Sequence, residues 1–105
     1  MDIFTALAEP TRRSILELLA ARGELPATDI SSRFNSSPPA ISQHLKVLRE
    51  AKLVRMEKRS RQRIYRIDPG AMDELEQWIK QTTDVWNRRL DRMDNVLKTK
   101  KKKKK

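Results

Sequence analysis

The sequence predicts a mainly α-helical fold with one small β-hairpin, and three observations predict it. Apolar residues recur at three- and four-residue spacing through residues 2–51. From Leu53 to Ile67 the period changes to two. A last helical stretch, about 71–97, then carries an a/d-like apolar series.

The first helix is "DIFTALAE" (2–9), with Ile3, Phe4 and Leu7 on one side. Pro10 suits the first position of the next helix, where its missing N–H costs nothing. That helix, "PTRRSILELLAARG", places Ile15, Leu16, Leu18 and Leu19 on a wide apolar stripe, and Gly23 stops it. Pro26 is expected to open a third helix in "ELPATDISSRF", which buries Leu25, Ile30 and Phe34. "NSS" (35–37) is a turn, with Ser37 as N-cap of a helix over 37–51. Pro38 and Pro39 fall in its first turn, where no intrahelical N–H is needed, so they stiffen its start. Ile41, Leu45 and Leu48 form its core side, and Pro39, Ser42, Gln43 and Lys46 project opposite. "LVRMEK" and "RIYRID" read as the two strands of the hairpin, turning at "RSRQ" (59–62) and ended by Pro69-Gly70. The last helix carries Met72, Leu75, Ile79, Trp86, Met93 and Leu97, with Thr82 at one d position. That seam is too long for one small domain to cover, and it reads as an interface. Trp78 and Trp86 read as interface and core packing rather than as a ligand box.

Charge is distributed unevenly. The chain's net charge is +10, but residues 35–66 hold nine Lys/Arg against two Asp/Glu. Residues 67–97 are net acidic, and seven lysines crowd into 98–105. A basic block between acidic segments suggests a surface that meets a polyanion. At 105 residues, 37% hydrophobic and 5% aromatic, one chain has only a modest core, so a second copy would help it bury surface. With no cysteine there is no disulfide and no thiolate metal site. No apolar run is long enough to span a membrane, and no secretory leader is evident, so the expected compartment is the cytoplasm. No nucleophile–base pair, paired acids or glycine-rich phosphate loop is present, so the expectation is a protein that is not an enzyme.

Helix, helix, tight turn, helix and basic hairpin is the order of a winged helix-turn-helix. Short polar side chains and Lys/Arg on the 37–51 helix suit base edges in a major groove. The candidate DNA-binding residues there are Ser37, Pro39, Ser42, Gln43, His44 and Lys46; in the wing they are Lys58, Arg59, Arg61 and Arg63. The hairpin cations Arg55, Lys58, Arg59, Arg61, Arg63 and Arg66 are balanced within it only by Glu57. His44 has a competing reading as a packing or hydrogen-bonding residue, and Arg12 and Arg13 as either a solvated face or a phosphate approach.

"ALAEPTRRSILELL", "PPAISQHLKVLREAKLV" and "RQRIYRID" together resemble the ArsR/SmtB family of small bacterial repressors, over roughly residues 3–97. The resemblance implies a homodimeric winged-helix repressor, often of its own operon. It implies that 26–34 and 37–51 are the two helices of the motif, the second being the recognition helix. It also implies that the terminal helices make the dimer, through Ile3, Phe4, Leu7, Ile79, Trp86, Met93 and Leu97. Metal-sensing members carry Cys-x-Cys in the first helix of the motif, where this chain has Pro26 and Thr28. Another metal site of the family uses Asp and His along the last helix, which here has no histidine. Glu9 stands where many relatives have Asp before the proline. The chain therefore resembles members without the known metal motifs.

The expectation is thus a mainly α winged helix-turn-helix, dimerising through its N- and C-terminal helices, over 1–97, with a lysine-rich disordered tail at 98–105. The tail is either a polyanion-binding arm or an adventitious extension. The partners are a double-stranded DNA operator and a second copy, with no membrane, no cofactor and no metal; a small-molecule effector is unknown. The alternatives are a winged-helix protein-interaction module and a metal sensor with unfamiliar ligands such as Asp91 and Asp94.

Overall fold

The computed structural model describes residues 2–101. Its elements are α1 (Ile3–Leu7), α2 (Pro10–Arg22), β1 (Glu24–Pro26), α3 (Ala27–Ser32), α4 (Pro38–Glu50), β2 (Val54–Arg59), β3 (Gln62–Ile67) and α5 (Pro69–Lys101). The chain divides into two compact units between Asp73 and Glu74.

Within the first unit, named groups satisfy both ends of α1, α2 and α4, whereas the N-cap of α3, Pro26, offers no side-chain acceptor. The Asp2 carboxylate accepts from the Thr5 N–H and hydroxyl, both at 2.9 Å, which holds it below the usual carboxylate range. Arg12 and Arg13, on α2, do not lie idle on a solvated face. They cap the C-terminal carbonyls of α1: Arg12 Nε donates to Ala6 O at 2.7 Å and Nη2 to Thr5 O at 3.3 Å, while Arg13 Nη1 donates to Leu7 O at 2.7 Å. Pro10 opens α2, with the Glu9 carboxylate accepting from the Arg12 N–H at 3.0 Å. Gly23 closes it at φ +89°, its N–H donating to Leu19 O at 2.7 Å.

The sequence reading places Pro26 at the start of a helix, and the structure corrects this. Glu24–Pro26 is a third strand, pairing antiparallel with β3 as Glu24↔Arg66, Leu25↔Tyr65 and Pro26↔Ile64. The sheet order is β1-β3-β2, so the hairpin is two-thirds of a three-stranded sheet. Pro26, lacking an N–H, is tolerated because β1 is an edge strand. It then serves as the N-cap residue of α3, which is shorter than 26–34.

The 37–51 helix forms as expected. Ser37 Oγ accepts from the Ala40 N–H at 3.3 Å, and Pro38 and Pro39 occupy the first turn. The helix ends in a Schellman arrangement: Lys52 N–H donates to Arg49 O at 3.0 Å and Leu53 N–H to Leu48 O at 2.9 Å. Lys52 takes φ +62°, where a glycine commonly sits. At the hairpin tip, Ser60 likewise takes φ +56° and lets β2 and β3 close without glycine.

The core joins Ile15, Leu16 and Leu19 of α2, Ile30 of α3, and Ile41, Leu45, Val47 and Leu48 of α4. Leu53, Val54 and Tyr65 close it from the sheet side, with Leu25, Met56 and Ile67 packed against it. Fully burying a leucine or isoleucine contributes about 1.5–3 kcal/mol, so α4 is held chiefly through Ile41, Leu45 and Leu48. The hairpin ends at Ile67, just before Pro69, and Pro69 already begins α5, two residues ahead of the expected start; the Asp68 carboxylate accepts from the Gly70 N–H at 2.9 Å.

The second unit is α5 from Glu74 onward. Its large apolar side chains are about half exposed: Ile79 50%, Trp86 54% and Met93 53%. The helix continues to Lys101, so the first residues of the lysine run are helical, and residues 102–105 lie outside the described residues. Among the described residues no helix is long and apolar enough to cross a membrane.

Candidate nucleic-acid interface

The buried stripe of α4 dictates which of its side chains face outward. With Ile41, Leu45 and Leu48 in the core, Pro39, Ser42, Gln43, Lys46 and Arg49 are all exposed. They line a groove of about 670 Å³ together with Glu50 at the end of α4 and Arg63 and Tyr65 of β3. Helix face and wing are therefore walls of one concavity. Arg49 is absent from the candidates read off the sequence, although its spacing of three from Lys46 and seven from Ser42 puts it on their face.

A second groove, of about 520 Å³, lies between α3 and α4. Thr28, Ser31, Ser32 and Ser36 line it with Ser42, over Ile41 and Leu45. Ser37 is exposed at the head of α4, where its hydroxyl caps the helix.

His44 is turned away from the exposed face. Its side chain is 20% exposed, with Nδ1 at 3.4 Å from Arg12 Nη1 and 3.9 Å from Glu9 Oε2. Arginine can only donate, so Nδ1 accepts. Desolvation pushes the Glu9 carboxylate up, but the Arg12 N–H, the neighbouring His44 ring and the Thr11 groups together outweigh this and hold it below its ordinary range. The ring joins α4 to the start of α2.

The register of the wing sorts its cations by face. Val54↔Ile67, Met56↔Tyr65 and Lys58↔Arg63 pair on the side that continues from the core, so Lys58 and Arg63 extend that side toward the tip. Neither makes an ion pair among the described residues, and Arg61 at the tip makes none either. Arg55, Arg59 and Arg66 stand on the other side. Arg59 ion-pairs with Glu24 of β1 through Nη1, and with Glu57 through Nη2 at 2.9 Å. Those carboxylates raise the Arg59 pKa, and Arg59 in turn holds Glu24 below its ordinary range. Arg55 Nε lies 3.1 Å from Asp68, which is held low by Arg55 and then by the Gly70 N–H. The hairpin's cations are thus balanced by Glu24 and Asp68 as well as Glu57, two partners that lie outside β2 and β3.

Of the residues expected at a dimer interface, Ile3 and Leu7 pack partly against the first unit's core, and Phe4 is exposed. Ile79, Trp86 and Met93 are exposed on α5; the side chain of Leu97 lies outside the described residues. Among the described residues no three His, Asp or Glu side chains group closely enough to hold a metal ion.

Comparison with known proteins gives a consistent set of relatives. A family described as a helix-turn-helix domain matches residues 7–57. The transcriptional repressor SdpR of Bacillus subtilis is 33% identical over 78 residues, which is 74% of this chain and 86% of that protein. An ArsR-like transcriptional regulator from Rhodococcus superposes with a TM-score of 0.77 at 29% identity, covering 90% of this chain and 88% of the other. The homodimeric winged helix-turn-helix DNA-binding domain Mb0332 of Mycobacterium bovis, a possible ArsR-family regulator, superposes at 0.61 with 28% identity. That match covers 76% of this chain and 73% of the other.

Proposed function

The chain belongs to the ArsR family of winged helix-turn-helix transcriptional regulators, which are DNA-binding proteins and not enzymes, and we propose that it is a homodimeric repressor of a double-stranded DNA operator. The observation that carries this reading is the groove that joins the polar face of α4 to β3. Its walls offer Ser42, Gln43, Lys46 and Arg49 on a helix narrow enough for a major groove, and Arg63 beside it. In this reading Gln43 and Lys46 meet base edges, and Lys58, Arg61 and Arg63 neutralise phosphates. Ser37 and Pro39 set the angle of α4, and His44 holds α4 against α2.

Dimerisation is supported by the apolar positions Met72, Ile79, Trp86 and Met93, which recur every seven residues along α5. The homodimeric state of the similar Mb0332 domain supports it too. A second copy laid along that face would cover side chains that one chain leaves about half exposed. The repressor role rests on the likeness to SdpR.

We further propose that metal does not control it. The chain has no cysteine, and its one imidazole is engaged with Arg12. Zinc, nickel or arsenite should leave operator affinity unchanged in a fluorescence-anisotropy titration; release of DNA by any of them at micromolar concentration would reverse this part of the proposal.

The test of the main reading is binding-site selection from random duplexes, followed by titration of variants on the selected operator and on a scrambled duplex. Gln43→Ala or Lys46→Ala should each lose about 1–3 kcal/mol on the operator and relax the base preference. Equal weakening on both duplexes would remove base reading from α4.

A further inference from the structure

The wing's two faces differ in free charge. On one, Arg55, Arg59 and Arg66 meet three carboxylates: Asp68 pairs with Arg55, and Glu24 and Glu57 pair with Arg59. Glu24 stands opposite Arg66 in the register. That face is electrically balanced. The other face carries Lys58 opposite Arg63, with Arg61 at the tip, and no carboxylate among the described residues pairs with any of them.

Arg59 also does something the other wing cations do not. It sits on β2, and its partner Glu24 sits on β1, with β3 between them. The bridge therefore crosses the row Pro26–Ile64–Glu57. Ile64 lies in that row and is buried, although it stands apart from the main core cluster, as a residue under such a bridge would be. β1 leads directly into α3, whose N-cap residue is Pro26. A link from Arg59 to β1 thus ties the hairpin to the first helix of the helix-turn-helix.

From this we infer that Arg59 is a positioning residue that holds the wing to β1, and that the wing's phosphate-binding charge is Lys58, Arg61 and Arg63. The inference rests on the DNA-binding reading above for its second half only. It replaces Arg59 as a direct contact, the role its sequence position suggests.

Lys58→Gln, Arg63→Gln and Arg59→Gln remove the same charge, so long-range electrostatics alone cannot separate them. Each is titrated with operator duplex across a range of salt. As phosphate contacts in both protomers of a dimer, Lys58→Gln and Arg63→Gln should each flatten the log K against log salt slope by about 2. Arg59→Gln should leave that slope unchanged. Glu24→Gln is the decisive partner: with Arg59 as a brace it mimics Arg59→Gln, whereas with Arg59 as a contact it frees a cation and steepens the slope. The reversed pair, Glu24→Arg with Arg59→Glu, should restore what either single change loses. Hydrogen exchange of the free protein supplies an arm independent of DNA. Amides of β2 and β3 should exchange faster in Arg59→Gln and Glu24→Gln, and at the wild-type rate in Lys58→Gln. A slope flattened by Arg59→Gln as much as by Lys58→Gln would overturn the inference, as would unchanged exchange in both brace variants. Absence of salt-dependent DNA binding in the wild type would instead remove the DNA reading, and with it the phosphate role of Lys58, Arg61 and Arg63, while the exchange data still decide the brace.

Discussion

Replacing Arg12 with alanine removes a side chain that ends one helix and links two others. Its Nε donates to Ala6 O at 2.7 Å, a short bond from a charged donor, of a kind that contributes about 1.5–3 kcal/mol net. The bonds from Nη2 to Thr5 O at 3.3 Å and from Nη1 to His44 Nδ1 at 3.4 Å are long and contribute less. Water can reach the α1 carbonyls once the side chain is gone, which keeps the loss near the lower part of the sum, about 2–3 kcal/mol. α1 has only five residues and no independent stability, so it should detach from α2 once this fork is gone. At roughly 4–8 °C per kcal/mol for a domain of this size, melting should fall by about 10–20 °C. Arg12→Lys keeps the charge but cannot make the forked contact, so it should lose about half as much. The assay is thermal unfolding by circular dichroism at one fixed protomer concentration, because the self-association proposed above would make the midpoint concentration-dependent. Melting of Arg12→Ala within about 2 °C of wild type would refute the reasoning, since it would mean the three contacts together contribute under about 0.5 kcal/mol.

Two more outcomes follow from particular positions. Lys52 ends α4 at φ +62°, so Lys52→Gly should relieve left-handed strain and stabilise the protein by about 1 kcal/mol in urea unfolding; a loss would show that the lysine side chain makes up for its backbone. Trp86 is 54% exposed in the single chain, so Trp86→Ala should weaken self-association while a single chain loses little stability. Sedimentation velocity should show a shift toward monomer, and an unchanged dimer would place the interface elsewhere.

What the sequence determined by itself is everything that rests on neighbours within one or two turns of helix. Ser37, Pro38 and Pro39 specify the start of α4, Gly23 the end of α2, and the 41–45–48 stripe the face that α4 buries, because caps and helical periodicity act over three or four residues. The change to period two likewise marks β2 and β3, whose strands pair across a two-residue turn. The outward face of Pro39, Ser42, Gln43 and Lys46 follows from the same spacing, and Arg49 was within its reach. What only the tertiary structure decided depends on residues far apart in the chain. β1 is a strand because β3, about forty residues on, supplies its hydrogen-bond partners; in isolation "ELP" carries no strand signal and its proline argues for a helix start. The pairing of Arg59 with Glu24, 35 residues away, and of Arg12 with His44, 32 away, has no local signature either. A guanidinium on a solvated hairpin and one held by two carboxylates are the same letter in sequence. Only the sheet register, set by packing of the whole first unit, brings the carboxylates to one and leaves the other free.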